Sequence, residues 1–115
     1  NQSTPIVEVG KWSAASVILS CTAITASTLN VWVQKRAPND DGWIDIIAFT
    51  QLTATGSVEA EFVSAGNEMF TPTNGSLAAG NIRTCMIGTD WAIAFSVGNA
   101  GGGTATFGVF SDFFE

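Results

Sequence analysis

Apolar and polar residues alternate with a period of two along most of this chain. In SVILSCTAIT (16–25), Val17, Leu19, Cys21 and Ala23 fall on one face, while Ile18, Ser20, Thr22 and Ile24 fall on the other. That alternation is the signature of a half-buried strand. TLNVWVQKR (28–36) repeats it, with Leu29, Val31 and Val33 directed inward and Asn30, Trp32 and Gln34 outward. WIDIIAF (43–49) and SVEAEFV (57–63) follow, the second setting Val58, Ala60 and Phe62 against Glu59 and Glu61. NIRTCMI (81–87), WAIAFSV (91–97) and TATFGVF (104–110) continue the series, and PIVEV (5–9) reads as an edge strand, with 1–13 forming either an N-terminal arm or an edge strand. These runs are rich in Val, Ile, Thr and aromatics and are separated by Gly, Asn, Asp, Ser and Pro. No window keeps a 3.6-residue period with helix caps. The pattern predicts an all-β fold, an antiparallel sandwich or jelly roll of about seven to nine strands with little or no helix.

Two stretches interrupt the alternation. SAGNEMFTPTNGSLAAG (64–80) carries Pro72 and the Asn74-Gly75 step and is expected to be a long protruding loop; GNAGGG (98–103) is a flexible connection. The 115 residues suffice for one domain spanning 1–115.

Composition narrows the function classes. Apolar residues make up 46% of the chain and charged ones only 12%, about half the usual charged share. So little charge implies that a partner covers part of the surface. There is no His and no Tyr, which removes the commonest general base, metal ligand and nucleophile partner together. Lys11, Lys35, Arg36 and Arg83 face ten acidic residues, for a net charge of −6. That balance repels phosphate backbones and anionic lipid, so neither nucleic acid nor membrane is expected as a partner. No apolar run approaches the ~20 residues of a membrane-spanning helix and no signal-like segment opens the chain, which is expected to be soluble. Cys21 and Cys85 could bridge two strands, but without CxxC spacing or His the favoured reading is a pair of buried thiols.

The candidate sites are few. Asn39, Asp40, Asp41, Gly42, Trp43, Ile44 and Asp45 lack the alternating oxygens and distal glutamate of a helix-loop-helix calcium site. Asp-Gly between two alternating runs is instead a hairpin signal, with Gly42 taking positive φ. Asp40 and Asp41 then serve the turn, and a cation site built from them and Asp45 lacks support. Glu59 and Glu61 stand ~7 Å apart on one strand face, near the spacing of glycosidase carboxylates, yet any i, i+2 pair in a strand does so. They read as the solvated side of a strand and as a guard against edge pairing. Of Trp12, Trp32, Trp43 and Trp91, the last shares its phase with Ile93, Phe95 and Val97 and belongs to the core. Trp32 points away from its apolar neighbours and is expected to be exposed or covered by a partner. The C-terminal FGVFSDFFE (107–115) holds Phe107, Phe110, Phe113 and Phe114. A tail this apolar must dock, on its own sandwich or on a neighbouring subunit. The expected interface residues are therefore Trp32, Phe110, Phe113 and Phe114, with no catalytic, cofactor-binding or metal-binding residues.

The segments LNVWVQKRAPNDDGWIDIIAFTQLTATGSVEAEF (29–62) and GNIRTCMIGTDWAIAFSVGNAGGGTATFGVF (80–110) resemble β-sandwich structural proteins of tailed bacteriophages. The shared features are the DDG-type turn, the Trp and short strand behind it, the TATG step, and an Arg-bearing strand followed by a Gly-rich turn and a closing strand. The chain departs from that pattern at 64–80, where its loop is longer. The resemblance implies a non-enzymatic capsid decoration protein on the outside of a virion. Its partners would be the major capsid protein and copies of itself, as a homo-oligomer such as a trimer, with no cofactor. The rival expectations are a carbohydrate- or receptor-binding module of a phage fibre or tail, using Trp32 and Trp43 as stacking platforms, and an enzyme using Glu59, Glu61 or Asp45.

Overall fold

The computed structural model describes residues 9–38, 42–66, 69, 71, 74–98 and 103–115. A 3-10 turn at Val9–Lys11 precedes seven strands: β1 (Ala14–Ile24), β2 (Thr28–Arg36), β3 (Trp43–Ala48), β4 (Gly56–Val63), β5 (Asn81–Ile82), β6 (Trp91–Gly98) and β7 (Ala105–Phe114). They form an antiparallel sandwich with a three-stranded sheet in the order β4-β1-β7 and a four-stranded sheet in the order β5-β3-β2-β6.

The core lies where the inward phases meet. Val17, Leu19, Ala60 and Phe62 of one sheet pack on Leu29, Val31, Val33, Ile47 and Trp91 of the other, with Phe107, Val109 and Phe113 of β7 closing one side. Aromatic rings join the layers there: Trp91 meets Phe113 with centroids 5.2 Å apart, and Phe95 meets Phe107 at 5.3 Å. β6 and β7, each at the edge of its sheet, therefore lie one above the other. Cys21 and Cys85 are both buried and no disulfide joins them.

Two bulges break the strict period. In β1 the register with β7 shifts between Cys21 and Ala23, so Ala23 is exposed while Ile24 packs against the core. In β3 the register with β2 shifts between Val33 and Gln34, setting Val33 opposite Ile47 but Gln34 opposite Asp45. Ile46 is the extra residue and packs into the core, and Asp45 is thereby turned onto the outer face beside Gln34.

The ends of the predicted strands shift with hydrogen-bond supply. The run expected as a strand over 81–87 pairs only at Asn81 and Ile82. Beyond it the chain crosses toward the other layer, where Ala65 N–H donates to Cys85 O and Ile87 N–H to Ser64 Oγ. Cys85 and Ile87 still point inward, so the alternation survives without a ladder. The C-terminal tail extends the last strand to Phe114. Of the expected N-terminal edge strand only Val9 is described, and it lies in the 3-10 turn. Asn39, Asp40 and Asp41 lie outside the described residues. Gly42 has φ of 100° and its carbonyl accepts from Ala37 N–H, as a tight return between β2 and β3 requires.

Candidate functional site

Two surfaces carry side chains that the fold does not obviously need. The first is the outer face of the four-stranded sheet. The β3 bulge sets Asp45 next to Gln34, and both are fully buried although they face away from the sandwich core. The cover is the chain's own segment 74–77. One Asp45 carboxylate oxygen accepts from Gly75 N–H at 2.7 Å and from Gln34 Nε2 at 2.8 Å. The other accepts from the N–H groups of Ser76 and Leu77, both at 2.8 Å. Three successive backbone donors converge because Gly75 takes a φ of 76°, which curls the chain into an anion-holding concavity. Gln34 also donates to Asn74 Oδ1, and Arg83 Nε donates to the backbone carbonyl of Asp45. Burial pushes the Asp45 carboxyl up, but the bonds from Gly75, Gln34, Leu77 and Ser76 together outweigh it and hold the group below its ordinary value of 3.8.

Asp45 is thus neither a turn aspartate nor one of a cluster of open carboxylates. It fastens the long segment across the sheet, and the expectation of a loop that protrudes over all of 64–80 fails at 74–77. Trp32 contributes to the same fastening: it is half-buried and its indole Nε1 donates to Leu77 O at 3.1 Å. Its covering is this chain's own backbone. Beside it runs a cleft of about 490 Å³ lined by Trp32, Gln34, Asn74, Gly75 and Ala94 among others. Trp43 sits apart from this cleft, at the far end of β3, with the Arg36 guanidinium 4.6 Å above its ring and Asp90 bound to that same Arg at 3.1 Å.

The second surface is the outer face of the three-stranded sheet. Its strand register sets Val63, Ala14 and Phe114 in one row, Glu61, Ser16 and Asp112 in the next, then Glu59, Ile18 and Phe110. Large apolar side chains stand in water here: Val63 is 68% exposed, Phe110 63% and Phe114 51%. Phe113 has the opposite phase and packs against the core. The structure therefore brings Phe110 and Phe114 together on one face, turns Phe113 inward, and places Trp32 on the other sheet.

Glu59 and Glu61 are exposed on this second face, and Ser16 Oγ donates to Glu59 at 2.6 Å. A Glu59→Gln, Glu61→Gln double variant is expected to unfold within about 0.5 kcal/mol of the parent in urea. A larger loss would give the pair a structural role that their exposure does not suggest.

Among the described residues no group of three or more Cys, Asp or Glu side chains is placed to hold a metal ion. No buried side-chain nitrogen or oxygen among them lacks a hydrogen-bond partner. No protein-family model, curated protein or solved structure matches the chain. The Asp45 clamp escaped the sequence reading because its donors lie some thirty residues downstream. The one local signal was Asn74-Gly75, a step suited to positive φ.

Proposed function

We propose that this protein is a non-enzymatic virion structural protein that decorates a bacteriophage capsid and stabilises it by bridging capsomers. The observation that carries the reading is the outer face of the three-stranded sheet, where Phe110, Phe114, Val63 and Ile18 are exposed together on a rigid ladder. Apolar groups gathered in this way gain free energy when a partner surface covers them. Glu59, Glu61 and Asp112 lie among them and oppose indiscriminate stacking by charge repulsion. The phage assignment is supported by the sequence resemblance, and the low charge of the chain fits a surface shared with neighbours. Repetition over a lattice turns a weak single contact into firm attachment.

The test is co-sedimentation with expanded capsids of the parent virus that lack this protein. The chain is expected to pellet with them and to raise the temperature at which they rupture. A chain left in the supernatant, with capsid rupture unchanged, overturns the proposal.

The cleft beside Trp32 favours a second reading, a carbohydrate- or receptor-binding module. An aromatic ring next to the exposed amide of Asn74 is chemistry suited to a sugar ring and its hydroxyls. Binding on a glycan array that is lost in Trp32→Ala, with no capsid attachment, would decide for this reading.

A further inference from the structure

β7 is an open edge. It is ten residues long and bonds to β1 on one side, and among the described residues no strand pairs with its other side. An unpaired strand edge offers a row of N–H and C=O groups to any second strand, and proteins usually block it with Lys, Pro, a bulge, inward charge or short length. The described edges differ in this respect. β5 has only two residues. β4 carries Glu59 and Glu61, and pairing it with itself over its whole length sets Glu59 opposite Glu59 or Glu61 of the other copy. β7 has neither Pro nor Lys, and its most exposed large apolar side chain is Phe110.

We propose that the outer edge of β7 pairs antiparallel with the same edge of a second copy of this chain, about a two-fold axis at Val109 or Phe110. The alternation of side chains allows only registers that keep outward residues opposite outward residues. Two of these use nearly the whole strand. With the axis at Phe110, Phe110 faces its own copy, Asp112 faces Gly108 and Phe114 faces Thr106 of the second copy. With the axis at Val109, Phe110 faces Gly108 and Asp112 faces Thr106 of the second copy. In both registers the two Phe110 rings are opposite or diagonal neighbours, within aromatic reach. In neither does Asp112 meet its own copy. β7 thus accepts the symmetric pairing that charge denies to β4.

The second layer fits the same axis. β6 lies beneath β7 through the Trp91–Phe113 and Phe95–Phe107 contacts, is the edge of its own sheet, and bears no charged residue. A two-fold axis just outside the free edge of β7 and normal to the sheets brings β6 alongside its own copy, so that both layers continue across the junction. The contact is isologous and closes at two subunits, leaving Val63 and Ile18 on the outer face for another partner. The inference deepens the proposed assembly role, since Phe110 belongs to the same apolar face, but its readout is separate.

Sedimentation velocity of the full chain over a concentration series tests it, with Phe110→Lys and Val63→Lys as variants. The parent is expected to sediment as a dimer of the 12.0 kDa chain. Phe110→Lys, which sets like charges beside the axis, is expected to weaken the dimer by ~10-fold or more. Val63→Lys, on the opposite edge of the sheet, is expected to leave it intact. A monomer at every concentration up to ~100 μM overturns the proposal. So does a dimer insensitive to Phe110→Lys, or one broken equally by Val63→Lys, which would mean face-to-face stacking. A monomer that pellets with capsids removes the dimer alone, whereas a dimer that ignores capsids removes the decoration role alone.

Discussion

Asp45→Ala is expected to destabilise the protein by about 3 kcal/mol and to release the segment 74–77 from the sheet. Three backbone N–H groups and the Gln34 amide converge on this carboxylate. Each donor stranded without an acceptor costs about 1–3 kcal/mol if it stays buried. The segment can instead lift off and let water satisfy them, so the loss stops near the cost of detaching it. Asp45→Asn keeps the shape but turns one acceptor into a donor that faces backbone donors, and is expected to cost nearly as much. Urea unfolding measures the loss, and amide exchange at Gly75, Ser76 and Leu77 reports the release. The pH dependence follows from the same bonds. Because the folded-state value lies below the ordinary 3.8, the native state binds fewer protons than the unfolded chain as pH falls through that range. The stabilisation is complete above the unfolded value and is lost as pH drops through the folded one. The stability difference between the parent and Asp45→Ala should therefore be constant near neutrality and shrink below about pH 4. A difference that stays constant down to pH 2 would separate Asp45 from the clamp.

The role of Asp45 was not legible in the hydrophobic pattern. A strict period of two over 43–49 places Asp45 in phase with Ile47, on the core side, where a carboxylate is implausible. The chain resolves the conflict by the one-residue bulge at Ile46, and a bulge leaves little trace in the hydrophobic pattern. The β2 run, by contrast, has the bounds that its alternation gives, because its register with β6 is unbroken from Thr28 to Lys35. The surfaces divide in the same way. Phe110 and Phe114 were legible as a problem because they are large, apolar and close in sequence. Phe113 goes inward by parity alone. The covering of Trp32 was not legible, since it comes from the backbone of Leu77, far along the chain, and backbone acceptors carry no sequence signal.

Trp91→Ala is expected to cost more than any other single substitution in the core, about 3–5 kcal/mol for the lost ring. The side chain is fully buried and spans the two layers, edge-on to Phe62 at 5.6 Å and tilted against Phe113 at 5.2 Å. Its Nε1 donates to Ile87 O at 2.8 Å, and stranding that carbonyl adds about 1–3 kcal/mol. A domain of this kind has only about 5–15 kcal/mol to lose, so the variant is expected to be largely unfolded at 37 °C. Trp91→Phe retains an aromatic contact with both neighbours but not the hydrogen bond, and is expected to lose about 1–3 kcal/mol while remaining folded. The pair of variants separates packing from hydrogen bonding, with the urea midpoint as the readout and an unchanged slope as the check that the denatured state is the same. A loss below about 1 kcal/mol in Trp91→Ala would place the ring outside the core. The consequence for assembly runs through Phe113. Its contact with Trp91, together with the packing of Phe107 and Val109, holds the phase of β7, and that phase is what turns Phe110 and Phe114 outward. In Trp91→Phe the strand is expected to keep its register and the exposed face its shape, so attachment to partners should survive a moderate loss of stability. If attachment falls in proportion to stability instead, the face depends on global folding rather than on the local anchoring of β7.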